Sequence, residues 1–220
     1  MSSGNPQTPK PGRSHRLNGP LLALLVVVLV GGGFLVARSL WGVPPGPAAD
    51  TGAREGELSI GGPFTLVNQD GKTVTDADFR GRWLLVYFGF TYCPDICPTS
   101  LARNSDAIEL LGGKGEKITP VLISIDPERD TPEKMKEYVH FFHPRMVGLT
   151  GTAQQIAAVA KEYRVFYMKA PGDQPDTYVV DHSSLTYLID PNGKFVQFFR
   201  GEASPQEVAD KLKPLLLAGR

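Results

Sequence analysis

The sequence predicts an α/β domain carried behind one N-terminal membrane helix. Three observations lead there. Residues 83–90 and 118–125 are continuous apolar runs suited to strands buried on both faces. Helix-start signatures stand between and after those runs. Residues 19–37 contain no charged side chain at all.

That uncharged stretch comes first. At about 1.5 Å per residue it spans about 28 Å, close to the ~30 Å hydrocarbon thickness of a bilayer. Gly31-Gly32-Gly33 would weaken a soluble helix but is tolerated in a membrane one. A cleaved signal peptide is the alternative, but its apolar core is shorter and a small-x-small site should follow. Here Arg38, Leu40 and Trp41 follow instead. Lys10, Arg13 and Arg16 lie in the tail at 1–18, and basic residues stay on the cytoplasmic side. The expectation is a single-pass anchor at 19–37 in a bacterial inner membrane, with the rest of the chain in the periplasm. The tail is short for a mitochondrial targeting segment. Residues 38–60, rich in Pro, Gly and Ala without apolar periodicity, read as a flexible linker.

The body occupies 61–220. Residues 63–67 and 72–75 flank Asn68-Gln69-Asp70-Gly71, a hairpin connection. The strand at 83–90 follows, then a crossover helix at 95–111 and the second buried strand at 118–125. Thr131-Pro132 opens a helix expected to reach His143, with Pro at its first position. Thr152-Ala153-Gln154-Gln155 is a capping box for the next helix. Residues 184–190 and 195–199 flank Pro191-Asn192-Gly193 as a second hairpin, and Ser204-Pro205-Gln206-Glu207 caps a closing helix. A parallel βαβ core finished by an antiparallel hairpin and a C-terminal helix is the thioredoxin-like arrangement.

Composition narrows the function. Hydrophobic residues make up 41% of the 220, which excludes a wholly disordered chain. The 23 basic and 23 acidic side chains cancel, but residues 1–49 hold four basic residues and no acid. The remainder, with 19 basic against 23 acidic residues, is mildly acidic and argues against nucleic acid as a partner.

Two cysteines, Cys93 and Cys97, stand directly after the first buried strand, where open α/β sheets place their chemistry. Cys93 precedes a helix N-terminus, a setting that favours thiolate. Four readings are open. A structural disulfide is permitted outside the cytoplasm, yet so short a loop stabilises by only about 2 kcal/mol. A dithiol oxidoreductase normally has two intervening residues rather than three. A peroxidatic cysteine would need one sulfur and a resolving partner. A metal site would use both thiolates as a chelate.

The histidines bear on the last reading. His15 lies on the cytoplasmic side, and His140 and His143 read as solvated groups near a helix C-terminus. His182 precedes the strand at 184–190. In thioredoxin-like folds the loop entering that strand packs on the dithiol, normally through a cis-proline. No proline stands there, which leaves room for an imidazole facing the cysteines. Two thiolates and one imidazole suit copper, Cu(I) above all, while zinc would want a fourth ligand. Asp181 is the expected acceptor orienting His182.

Cys93-Pro94-Asp95-Ile96-Cys97-Pro98 resembles the CPDxCP motif of the Sco/SenC proteins, membrane-tethered thioredoxin-like copper chaperones for cytochrome c oxidase assembly. Phe88-Gly89-Phe90-Thr91-Tyr92, the segment from Ser124 to Pro132 and Val180-Asp181-His182-Ser183 resemble the family's other signatures. The resemblance implies that Cys93, Cys97 and His182 ligate copper as Cu(I) or Cu(II). It implies the binuclear copper centre of cytochrome c oxidase subunit II as the acceptor. Other periplasmic copper carriers or thiol reductants would be further partners. A thiol–disulfide oxidoreductase that reduces the acceptor's cysteines is the alternative, with Cys93 and Cys97 as its redox pair. The segment 126–131 is assigned to shaping the loop, with turn chemistry and a helix cap as the plainer reading.

The topology is testable directly. A reporter enzyme fused after Arg220 should be active only outside the cytoplasm, and cytoplasmic activity would overturn the orientation.

Overall fold

The computed structural model describes residues 60–171 and 178–218. The expected tail at 1–18, the anchor at 19–37 and all but the last residue of the linker at 38–60 lie outside the described residues. Among those described, no helix is long and apolar enough to cross a membrane.

Strands β1 (Thr65–Asn68) and β2 (Thr73–Thr75) form the first hairpin, in antiparallel register from Thr65↔Thr75 to Val67↔Thr73. Its turn closes because Asn68 Oδ1 accepts the backbone N–H groups of Asp70 and Lys72, and Gly71 adopts φ +74°. Strand β3 (Trp83–Gly89) leads through the cysteine loop into helix α1 (Ile96–Leu110) and on to β4 (Ile118–Ser124). β3 and β4 are parallel, aligned from Trp83↔Ile118 to Gly89↔Ser124, as the two apolar runs require.

Helix α2 (Pro132–His140) is capped by Thr131, whose hydroxyl accepts the Lys134 N–H. It stops three residues short of the expected end at His143, where Pro144 follows. Strand β5 (Val147–Thr150) comes next, then helix α3 (Ala153–Glu162) behind the predicted capping box. Strands β6 (Tyr167–Pro171) and β7 (Tyr178–His182) pair into a separate antiparallel ribbon. β8 (Thr186–Ile189) and β9 (Phe195–Phe199) make the second hairpin, and α4 (Pro205–Ala218) closes the chain.

The main sheet has seven strands in the order β2-β1-β5-β4-β3-β8-β9. Leu85 on β3 joins Ile108, Leu188, Val208 and Leu212 in a cluster with α1 and α4. Leu84, Val86 and Phe88 point the other way, toward Met135, Val139, Ile156 and Val159 of α2 and α3. This is the thioredoxin-like layering, with the end of β3 and the start of α1 at one edge of the sheet.

Two expectations are corrected. The predicted order placed two helices in succession after β4; β5 stands between them. Residues 178–182, expected as a loop entering the strand at 184–190, form β7 of the ribbon, and β8 begins only at Thr186. Both elements are short, so neither offers the run of alternation that marks a strand in sequence.

Leu122 on β4 is fully buried with helices over both sheet faces. Leu122→Ala should cost about 2–5 kcal/mol in chemical denaturation, whereas Phe141→Ala at an exposed position should stay within about 0.5 kcal/mol of wild type.

Candidate metal centre

Three elements converge on the predicted residues. Cys93 sits in the loop leaving β3, Cys97 in the first turn of α1, and His182 at the last position of β7. Their donor atoms all lie within 4.8 Å of one another. Among the described residues no other group of three His, Cys, Asp or Glu side chains is close enough to share an ion.

Cys97 is the buried floor of the site, and Cys93 is 9% exposed. Both are free thiols. The Cys97 backbone N–H points at the Cys93 sulfur at 3.3 Å, as expected for a sulfur lying over a helix N-terminus. The Cys93 thiol is held well below the ordinary thiol range, first by the hydrogen bond from the Cys97 thiol, then by the backbone N–H groups of Asp95 and Cys97, against the cost of burial. Cys97 is pushed up for the converse reasons: it donates to Cys93 and is buried. The reduced pair therefore shares one proton, carried on the inner sulfur.

His182 Nε2 lies 3.4 Å from the Cys97 sulfur, and Nδ1 lies 3.2 Å from the Ser183 carbonyl oxygen. A carbonyl only accepts, so this pairing assigns the proton to Nδ1 and leaves the Nε2 lone pair facing the sulfurs. Asp181, expected to orient the ring, is exposed on the opposite side of the ribbon strand, and the backbone carbonyl does that work. Tyr87 and Phe90 meet the imidazole edge to face at 5.9 and 6.0 Å between centroids.

Several contributors were not legible as site residues. Gly89 ends β3 directly behind Cys97. A Cβ there would stand 2.9 Å from the Cys97 sulfur and 2.8 Å from the Tyr87 ring, so only glycine leaves the sulfur its place. Glycine within an apolar strand is a signal of close approach, and that signal was available. Tyr87 and Phe90 read simply as core.

Of the remaining histidines, His140 is exposed, as expected. His143 is not the solvated group expected: it is buried, its Nδ1 accepts the Arg145 N–H, and its Nε2 lies 3.5 Å from Glu109. Neither approaches the cysteines' cluster. The segment 126–131 does supply the Thr131 cap, but it also buries Asp126 and Asp130 completely. Asp130 accepts from the Thr91 N–H, the Thr91 hydroxyl and the Ser124 hydroxyl, pinning the loop just before Cys93.

Two sulfurs and an imidazole at such distances form a soft three-donor set, and among the described residues no fourth His, Cys, Asp or Glu joins it to complete a zinc tetrahedron. The comparisons agree with this chemistry. The family model described as SCO1/SenC matches residues 52–217. A SCO2-like protein of Rickettsia felis is 43% identical over 194 residues, covering 87% of this chain and 95% of the relative. The copper-bound structure of ScoI from Arabidopsis thaliana superposes with TM-score 0.70 at 43% identity, over 73% of this chain and 99% of that one. The copper-bound structure of ScoI from Bradyrhizobium japonicum does so with TM-score 0.65 at 45% identity, over 71% and 99%.

The lowered Cys93 thiol gives a pH test. Alkylation of the reduced protein should fall on Cys93 before Cys97, and its rate should be nearly flat between pH 6 and 8, where an ordinary thiol rises about tenfold per unit. Ordinary pH dependence would show that Cys93 is not a stabilised thiolate.

Proposed function

Because the chain belongs to the SCO1/SenC family, we propose that it is a copper metallochaperone. Cys93, Cys97 and His182 hold the ion, and the protein hands it to the binuclear copper centre of cytochrome c oxidase subunit II during assembly. Copper here is cargo. The observation that carries the reading is the placement of His182 Nε2 at 3.4 Å from the buried Cys97 sulfur. Simple dithiol exchange has no use for an imidazole fixed there. The anchor at 19–37 would keep this cargo site at the outer face of the inner membrane, next to a membrane-embedded acceptor.

The residues divide the work. Cys93 is already a thiolate and offers the first bond. Cys97 gives up its proton as the second sulfur binds, so loading releases a proton and weakens as pH falls. The Nδ1–H···Ser183 contact keeps His182 in the ligating tautomer. Tyr87, its hydroxyl held protonated by burial and by the neighbouring Cys97, adds no competing charge.

Thiol–disulfide reduction of the acceptor is the second reading. The stabilised Cys93 thiolate favours it, since such a sulfur is also a good leaving group in exchange. The two readings part at His182.

The reduced full-length chain should bind one copper ion, and the form with a Cys93–Cys97 disulfide should bind little. His182→Ala should weaken copper binding, change the Cu(II) absorption and electron paramagnetic spectra, and leave the rate of thiol exchange nearly unchanged. Cys93→Ser and Cys97→Ser should lose both properties. Wild-type copper affinity and spectra in His182→Ala would remove the imidazole from the site and leave the dithiol enzyme as the function.

A further inference from the structure

His182 reaches the cysteines from a ribbon that shares no backbone ladder with the main sheet. Something else must fix where that ribbon sits. Val180, at the middle of β7, is buried in the main core, and Tyr167 and Tyr178 pack part-buried against it, but apolar contact alone does not set a strand's position along its own axis. A directional, polar attachment is made at Tyr178, the end of β7 away from His182. It is made by the segment 126–131, which the sequence assigned to shaping the loop.

Arg129 lies in the turn after β4. Its Nε is paired with the fully buried carboxylate of Asp126. Its Nη1 donates to the Tyr178 backbone carbonyl at 3.0 Å, and its guanidinium carbon lies 3.7 Å from the centroid of the Tyr178 ring. The Tyr178 hydroxyl in turn donates to Asp126 Oδ1 at 2.7 Å. Arg129 also lies 4.8 Å from the ring of Tyr92, the residue before Cys93, and 5.8 Å from that of Phe90, which abuts His182. Its Nη2 is buried among these rings with no oxygen partner. One side chain thus holds the strand that carries His182 and the loop that carries Cys93. Tyr178 and His182 are four residues apart on one strand, so both project from the same ribbon face toward the body.

We propose that Arg129 is a positioning residue for the cargo metal: by clasping Tyr178 against Asp126 and Tyr92, it fixes β7 so that the His182 imidazole stands over Cys97. This rests on the copper reading above and deepens it. The loop that carries Cys93 is pinned independently by Asp130 through Thr91, and Cys97 belongs to α1, so the two sulfurs keep their places without the clasp. The imidazole does not. Loss of the clasp should therefore separate Cu(I), which two thiolates can hold, from Cu(II), which depends on the nitrogen donor. A lysine cannot replace the arginine, because it has neither the fork that reaches Asp126 and the carbonyl together nor the plane that stacks on Tyr178.

The test uses the full-length chain in detergent, with Cu(I) and Cu(II) themselves as probes. Arg129→Met should keep Cu(I) on the cysteines, weaken Cu(II) by about 10–100-fold, and give the Cu(II) spectrum of His182→Ala. Introduced into His182→Ala, it should change Cu(II) binding by no more than about twofold, because its route of action is already gone. Arg129→Lys should not restore the wild-type spectrum. Equal losses in both backgrounds would mean general destabilisation, and unchanged Cu(II) binding would mean no role; either result overturns the proposal. A copper-free readout separates its failure from that of the chaperone reading. The His182 ring proton resonances, displaced by Tyr87 and Phe90, should move toward solvent values in Arg129→Met, and an unmoved resonance overturns the clasp whatever the metal does. Should Arg129→Met fail to fold, Tyr178→Phe carries the same measurements. It keeps the stacked ring and removes only the hydroxyl bonded to Asp126, so a smaller change in the same direction is expected.

Discussion

The structure turns on one buried sulfur. Cys97 is sealed from solvent at the first turn of α1, and each neighbouring element is shaped to it. β3 ends in a glycine because any side chain would occupy the sulfur's position. The loop before α1 folds back so that the Cys93 sulfur accepts both the Cys97 N–H and its thiol proton. The ribbon delivers His182 to 3.4 Å from the same atom. A lone buried thiol is inert. Buried beside a stabilised thiolate and a lone-pair nitrogen, it becomes the third corner of a soft-metal site.

The surrounding fold is what makes these contacts obligatory. β3 and β4 are apolar on both faces and fix the end of β3 at the sheet edge, where α1 must begin. Buried Asp130 is raised toward protonation mainly by desolvation, with nearby Asp126 adding to it, and is tempered by its bonds from Ser124 and Thr91. Two acids of one turn are thus placed in the protein's interior, each fastening a different neighbour: Asp130 the cysteine loop, Asp126 the ribbon through Arg129 and Tyr178. Burying charge is costly unless it is matched by hydrogen bonds, and here the bonds from Thr91 and Tyr178 run to the loop and the strand that carry donor atoms.

The parts of this design that a sequence exposes are those with long or punctuated local signals. Residues 83–90 and 118–125 are long enough to read as buried strands, Thr152 and Gln155 mark a helix start, and Cys93 and Cys97 announce chemistry by proximity alone. β5 is four residues long and the ribbon strands five, so periodicity has too little to count. His182 does stand beside the cysteines, but in a different setting from the one expected, since it ends a strand instead of lying in a loop. Its orienting partner was misplaced for the same reason. Side chains alternate along a strand, and the alternation that sends His182 inward sends Asp181 out. His143 shows the complementary limit. Spacing along a helix suggested a solvated pair, but α2 ends at His140 and the turn beyond it carries His143 into the interior beside Glu109. Arg129 lies in the segment 124–132 that resembles a family signature, but its contacts could not be read, because its partners Tyr178 and Tyr92 are brought to it only by tertiary structure.

A chaperone site has to open as well as close, and the gradient of burial gives it a direction. Cys97 is sealed, Cys93 is nearly so, and His182 is only half-buried, on a ribbon with its own two-stranded sheet. An acceptor's sulfur or imidazole arriving from solvent meets the His182 side of the site first. Replacing the imidazole by an incoming donor preserves three-coordination throughout, whereas displacing Cys97 would require the end of β3 and the start of α1 to part. The most accessible donor is therefore carried by the one described strand pair that shares no ladder with the main sheet. Under the proposed chaperone reading, a proton taken up from solvent by Cys97 as the ion left would restore the pair and leave no second thiolate buried in an apolar wall.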